Sequence, residues 1–182
     1  MPSASPTLIR PSTDRDVASI CEIYCHHVVH GTGTFELTPP AADEIARRRA
    51  EVVAKGWPWL VAEVKGQVLG YAYANHFRPR PAYRFCLEDS IYVAHDAARR
   101  GLGRLLLAEL LACCEALGAR QMPAVIGDSA NLSSIALHRD LGFEPTGTIL
   151  AAGWKFDRWL DVVVMQKALG QGSRAAADRA IA

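Results

Sequence analysis

A carboxylate, a basic glycine loop and a histidine, spread along one half of the chain, are the residues whose types and spacing could do chemistry together. Glu88 stands in residues 85–93, a run rich in strand-forming side chains around Ile91, Tyr92 and Val93. A carboxyl group in an apolar strand loses hydration, which raises its pKa toward the range of a general base; a paired or edge-facing carboxylate is the structural alternative. Period-two geometry puts Cys86, Glu88, Ser90 and Tyr92 on one face and Leu87, Ile91 and Val93 on the other, a chemical face and a packing face. Downstream, Arg99, Arg100, Gly101, Leu102, Gly103 and Arg104 lead into a leucine-rich helix. A helix N-terminus carries unpartnered N–H groups and partial positive charge. Glycines let a ligand approach that backbone and arginines add formal charge, so a phosphate or pyrophosphate is the natural guest, against the bland alternative of a solvated basic turn. A Walker loop is excluded by the absent Gly-Lys-Ser/Thr ending, and a dinucleotide fingerprint by Leu106, where a third glycine would stand.

Three further groups carry chemical potential. Asn131, Ser134 and His138 follow one another at spacings of three and four, which puts them on one helix face, although Asn131 also suits a helix cap. Arg78, Arg80 and Arg84 fall in a proline-rich loop, where guanidinium forks match carboxylates and phosphinates, or where they are simply solvated. Cys21, Cys25, His26, His27 and His30 are metal-ligand types, but no second pair with zinc spacing follows and His26 and His27 point apart on a helix. They read as core cysteines and surface histidines, and no metal is expected. Cys86, ahead of Glu88 on the same expected face, is a candidate for an acyl-enzyme intermediate; a small buried hydrophobe is the commoner role of a free cysteine.

The elements that must position these groups follow from pattern. A short strand at residues 7–10 precedes a helix capped by Ser12 or Thr13, with an apolar stripe of Val17, Ile20, Cys21, Tyr24 and Val28 ending near Gly31. A second helix covers about residues 41–55, and strands at 57–64 and 67–75 form a hairpin turned at Lys65 and Gly66. After the strand at 85–93 comes a helix over 101–117, with leucines 105, 106, 107, 110 and 111 expected inside. A short strand at 124–126, a helix stopped by Leu141-Gly142-Phe143, and strands at 148–156 and 160–166 complete the order.

Composition bounds the rest. With 182 residues, half of them apolar, the chain has material for one well-buried domain. Twenty basic against nineteen acidic residues leave no electrostatic footprint for a nucleic acid. Five cysteines, an odd number without a Cys-x-x-Cys pair, fit a reduced cytoplasmic setting. No basic-then-apolar leader and no long uncharged apolar run is present, so neither export nor membrane spanning is expected.

The order βααβββ, glycine loop, αβαββ, with Asn131-x-x-Ser134-x-x-Leu137-His138-x-x-x-Gly142-Phe143, resembles the GNAT acetyltransferases: an α/β fold with a mixed central sheet flanked by helices. The glycine loop, with Ala98 at its first position, is similar to the family's acyl-coenzyme A loop, Gln/Arg-x-x-Gly-x-Gly/Ala. Thr34-Phe35-Glu36, Glu88-Asp89-Ser90-Ile91-Tyr92-Val93 and the residues from Gly153 through Trp159 to Gln166 resemble the phosphinothricin and methionine sulfoximine N-acetyltransferases within it. The resemblance implies direct acetyl transfer from acetyl-CoA to the amine of a small amino-acid-like acceptor. Under it Glu88 is the base, through water, and Tyr92 belongs to the catalytic face; His138, where many family members have a tyrosine, either protonates the leaving thiolate or packs. It implies main-chain bonds from Ile91, Tyr92 and Val93 to pantetheine, pyrophosphate held by Arg99, Arg100, Gly101, Leu102, Gly103 and Arg104, and contacts from Asn131 and Ser134 to the pantetheine arm. Phe35, Arg78, Arg80, Arg84, Glu88 and Trp159 would meet the acceptor, and a homodimer is expected. The domain would occupy residues 7–168, between a loose lead-in at 1–6 and a flexible tail at 169–182. A non-catalytic acyl-CoA-binding module, or an enzyme acting on a peptide N-terminus or polyamine, is the alternative; a polyamine site would be acidic.

Overall fold

The structure is a computed structural model and describes residues 6–177. β1 (Thr7–Pro11) leads through a 3-10 turn into α1 (Val17–His30) and α2 (Ala42–Ala54), followed by β2 (Trp59–Val64), β3 (Gln67–His76) and β4 (Leu87–Val93). Then come α3 (Leu102–Ala116), β5 (Gln121–Gly127), α4 (Leu132–Asp140), β6 (Glu144–Lys155) and β7 (Arg158–Ala168). The strands form two antiparallel sheets, ordered β1-β2-β3-β4 and β5-β7-β6. α3 is the crossover that lets β4 and β5 run parallel, and the parallel bridge Cys86–Gln121 joins the two sheets there.

The pattern dictates this locally. Trp59, Leu60, Val61 and Ala62 are buried in succession, as a strand covered on both faces must be. The β2–β3 hairpin turns at Lys65 and Gly66, both with positive φ, which matches the strands' twist. α1 buries Ile20, Ile23, Tyr24 and Val28, and the 3-10 turn Asp14–Asp16 ahead of it is closed by a capping box in which Asp16 accepts the N–H of the expected cap Thr13 at 2.7 Å. α3 buries Leu102, Leu106, Leu107, Leu110 and Leu111 against the first sheet, while Leu105, expected inside, faces solvent. Leu105 falls a step outside the i, i+4 stripe that the others share.

Two ends differ from expectation. β6 begins at Glu144, ahead of the expected 148, because pairing with β7 recruits strand-poor Glu144, Pro145 and Gly147 at the cost of a register shift between Pro145 and Gly147; a second shift, between Ile149 and Gly153, falls further along the strand. The tail expected from 169 is held at its start: Leu169 is 1% exposed and its N–H donates to the Arg120 carbonyl at 3.0 Å. Arg120 also reaches the Ala176 carbonyl at 2.9 Å. Residues 1–5 of the lead-in and 178–182 of the tail lie outside the described residues.

Candidate active site

β4 and β5 are the facing edge strands of the two sheets. They touch at Cys86–Gln121, where the Phe85 carbonyl also accepts from the Arg120 and Gln121 N–H groups at 2.9 and 3.2 Å. Beyond that point a cleft of about 920 Å³ separates them, walled by residues 88–93 of β4, the start of α3, the end of β5 and α4. An edge strand beside a cleft offers main-chain groups that its own sheet leaves unpaired. The Val93 carbonyl already accepts from His27 Nε2 at 2.9 Å.

At one end of the cleft α3 begins. Gly101 has φ +80°, which a side chain resists, and Arg99 before it has φ +62°, so the loop turns sharply into the helix. The first hydrogen bond back to the loop comes from Leu105 N–H to the Gly101 carbonyl, which leaves the N–H groups of residues 102–104 for a ligand. At Gly103 a Cβ would stand 3.3 Å from Leu137 and 3.8 Å from Ile91, so the glycine leaves room between α3, α4 and β4. Arg99 and Arg104 line it, and neither forms an ion pair among the described residues. Arg100 does not line it; its Nη2 donates to the Asp96 carbonyl at 2.8 Å.

Glu88 is in the same cleft, opposite Asn75 of β3. Burial, reinforced by the charge of Asp89 and opposed by Arg78, pushes its carboxyl up to about 7. At neutral pH the group is therefore divided between acid and base forms, the state in which a carboxylate accepts a proton most usefully. Tyr92, four residues further on the same face, packs edge-on to Tyr24 and against Tyr71. Burial raises its phenol well above the ordinary value, so it stays neutral and is a poor proton donor.

The opposite face of β4 does not consist of packing residues alone. Asp89 shares it with Leu87, Ile91 and Val93, is 7% exposed, and places Oδ2 3.0 Å from His138 Nε2. His138, 2% exposed, also directs Nδ1 at the Ser134 carbonyl, 2.7 Å away. Burial pushes the ring's pKa down, but the Asp89 hydrogen bond and charge, with the Ser134 carbonyl, more than reverse this and hold it above the ordinary value. Asn131 takes both roles open to it: Oδ1 caps α4 by accepting from Ser134 N–H at 3.3 Å, and the residue also lines the cleft with Ser134.

A cleft between splayed parallel strands, with an anion loop at one end and a half-ionised carboxyl inside, coincides with a family match. The acetyltransferase (GNAT) family pattern matches residues 14–143. The chain belongs to that GNAT family. It is 49% identical over 164 residues to a phosphinothricin N-acetyltransferase of Alcaligenes faecalis, covering 90% of this chain and 83% of that one. It is 40% identical over 162 residues to an L-methionine sulfoximine/L-methionine sulfone acetyltransferase of Pseudomonas paraeruginosa, covering 87% and 92%. A crystal structure of a GNAT superfamily phosphinothricin acetyltransferase from Sinorhizobium meliloti in complex with AcCoA superposes with a TM-score of 0.93 at 47% identity, covering 96% of this chain and 94% of that one.

Several expected site residues of this GNAT chain lie elsewhere. Arg78, Arg80 and Arg84 surround a separate cavity of about 430 Å³ with Lys55, Trp57 and His76. Arg78 and Arg84 stack on their own neighbours Phe77 and Phe85, and only Arg78 makes its charge felt at Glu88. Trp159 is 62% exposed on the β6–β7 hairpin, edge-on to Trp154, and does not line the cleft. Phe35 packs on Gly153 and Gly127, held there by a loop whose Thr34 carbonyl accepts from buried Lys155 Nζ at 2.9 Å. The Cys86 thiol is pushed up by burial and by the charge of Glu88, against Arg78, which lowers its nucleophilicity at neutral pH and speaks against an acyl-enzyme on it. Cys21 and Cys25 face each other at 3.8 Å, and both also lie near the Pro40 carbonyl; His26 stacks on His95. No cluster of three or more metal-ligating side chains occurs among the described residues. Sequence reasoning missed Asp89, His27, His30 and His95 on the cleft wall. Of these only Asp89 left a signal, a carboxylate interrupting the apolar face of its strand.

Proposed function

We propose that this GNAT chain is an acetyl-CoA-dependent N-acetyltransferase acting on the primary amine of a small amino-acid-like acceptor of the phosphinothricin and methionine sulfoximine kind. The observation that carries it is Glu88, a carboxyl poised at about 7 within a cleft whose far end is an anion loop. The names of its relatives support the same acceptor class. An acceptor ammonium cannot attack a thioester until it loses a proton. Glu88 takes that proton, directly or through one water, and the freed amine attacks the acetyl carbonyl. An N–H on the free edge of β4 meets the oxyanion as it forms. His138 is the proton source for the departing thiolate. The edge of residues 91–93 holds pantetheine, Arg99 and Arg104 with the N–H groups of residues 102–104 hold the pyrophosphate, and Asn131 and Ser134 flank the arm between them. Arg78, whose charge reaches Glu88, attracts the acceptor's acidic end while the ammonium faces Glu88.

Thiol release from acetyl-CoA, measured against phosphinothricin, methionine sulfoximine, methionine sulfone, free amino acids, polyamines and a peptide, tests this reading. Turnover is expected with the first three; turnover on peptides or polyamines alone overturns the acceptor class.

We also propose a homodimer, a domain spanning residues 7–168 and a cytoplasmic setting. The outer β6–β7 hairpin exposes Ile149, Leu150, Trp154, Phe156 and Trp159, an apolar patch on an edge strand of the kind a second copy covers. Sedimentation of a monomer at micromolar concentration contradicts the dimer. All five cysteines are free thiols, which supports the reduced setting, and among the described residues no helix is long and apolar enough to cross a membrane.

A further inference from the structure

Asp89 is a buried acid to which the reaction so far gives no part. It follows Glu88 on β4 but points to the other face, and among the described residues the one hydrogen-bond partner of its carboxylate is His138, with Oδ1 left unpartnered. His138 in turn faces oxygens on both sides. Nε2 lies 3.0 Å from Asp89 Oδ2, while Nδ1 lies 2.7 Å from the Ser134 carbonyl and 3.4 Å from Ser134 Oγ. A carbonyl and an ionised carboxylate only accept, so when Asp89 carries its charge a proton on each line, the imidazolium form, satisfies both, and Asp89 with the Ser134 carbonyl favours that form. Losing the Nδ1 proton would leave Asp89 its hydrogen bond from Nε2–H but remove the counter-charge of the ring. Ser134 is the outer member of this row, half-buried on the cleft wall where the pantetheine arm is expected.

We propose that Ser134, His138 and Asp89 form a proton relay to the departing CoA thiolate, in which Asp89 is the positioning residue that fixes the ring and retains its proton until the thioester breaks. The relay rests on the acetyl-transfer reading. As the acetyl carbon–sulfur bond breaks, its electron pair goes to sulfur, which takes the proton of Ser134 Oγ. Oγ takes the proton of His138 Nδ1, and the ring is left neutral with its Nε2–H still donated to Asp89. Glu88 passes the ammonium's first proton to solvent through its water and takes the second as the attacking nitrogen sheds it in forming the amide; of the two protons so released, one returns from solvent to the ring in the emptied cleft and one stays in bulk. The titratable groups around the ring are few. On β4 the group at the ring is Asp89, whose charge also raises the pKa of Glu88 on the other face of the strand. On α3 the group near Asp89 is Cys114, whose thiol burial, with Cys113 and Asp89, pushes up to about 12, so it stays neutral. The Phe143 ring stands edge-on to His138 at 5.0 Å.

The test follows the His138 ring by NMR across pH in the full chain, in wild type, Asp89→Asn and Ser134→Ala, alongside kcat and KM for each. In wild type the ring stays protonated above the ordinary histidine range, and Asp89→Asn lowers its midpoint by about one pH unit or more. The same substitution lowers kcat about tenfold or more, moves the basic limb of the pH–rate profile with the ring, and keeps the KM for acetyl-CoA within about twofold. Asp89→Glu, which restores the carboxylate, recovers part of the rate. Ser134→Ala, at the cleft surface where folding is not at stake, lowers kcat without moving the ring's midpoint. An active wild type whose ring midpoint is the same in Asp89→Asn, or whose kcat is indifferent to Ser134→Ala, overturns the relay alone. A wild type that acetylates no acceptor overturns the underlying reading, while the ring titration still judges the Asp89–His138 pair.

Discussion

Glu88→Gln lowers kcat for acetyl transfer by about 10²–10⁴-fold, the usual worth of a positioned general base, and leaves acetyl-CoA affinity nearly unchanged. The amide keeps the shape of the side chain but cannot accept the ammonium proton. In wild type, kcat/KM falls as pH drops through about 7, where the carboxyl becomes protonated, and the variant lacks that limb. Stability moves the other way. The folded carboxyl titrates near 7 against an ordinary value of 4.5, so the fold favours its protonated form. That contribution is complete below 4.5 and is lost as pH rises through 7. Glutamine does not titrate, so the variant is more stable than wild type at alkaline pH and the advantage shrinks as pH falls toward 4.5. The gap between the two values sets a ceiling of about 3 kcal/mol, at about 1.4 kcal/mol per pH unit. Thermal melts of both proteins at pH 8 and pH 5, beside the pH–rate profiles, read the two effects separately. A variant that is slower and also less stable at pH 8 contradicts the assignment of Glu88 as a desolvated base.

Arg99→Ala combined with Arg104→Ala raises the KM for acetyl-CoA by about 10²-fold or more, since each charged hydrogen bond to a phosphate contributes about 1.5–3 kcal/mol. kcat changes little, because the pyrophosphate is held alike before and during the chemical step. The wild-type KM rises with ionic strength, and the dependence flattens in the double variant. Arg100→Ala is the contrast: its guanidinium is turned to the Asp96 carbonyl, so the KM stays within about threefold, as for an exposed contact. Isothermal titration of acetyl-CoA at two salt concentrations measures all three proteins. Equal losses from Arg100 and from the pair would mean that a diffuse field, and not the loop geometry, holds the anion.

Elements whose reason is local were legible. The Lys65–Gly66 turn, the cap at Asn131, the Leu141-Gly142-Phe143 stop and the glycine loop all follow from backbone preferences within a few residues, and the structure has each of them. Glu88 was legible because desolvation on an apolar strand follows from its neighbours. Asp89 was not, since a carboxylate on a packing face makes sense only with a partner, and His138 lies 49 positions away. The arginine loop was misplaced because closeness in sequence says nothing of direction; Phe77 and Phe85 draw Arg78 and Arg84 onto their own rings. Trp159 suited a core or pocket wall by residue type. β5 pairs β7 only from Val162 onward, however, so the hairpin beyond extends past the core with its aromatics uncovered.

The most direct test of the account supplies acetyl-CoA labelled in the acetyl group, with phosphinothricin or methionine sulfoximine, to wild type and to Glu88→Gln, and follows where the label goes. The account predicts label on the acceptor amine, little or none retained on the protein, and transfer slowed by the substitution. Acetyl-CoA that binds while no amino-acid-like acceptor gains label, or label that first accumulates on Cys86, would contradict it.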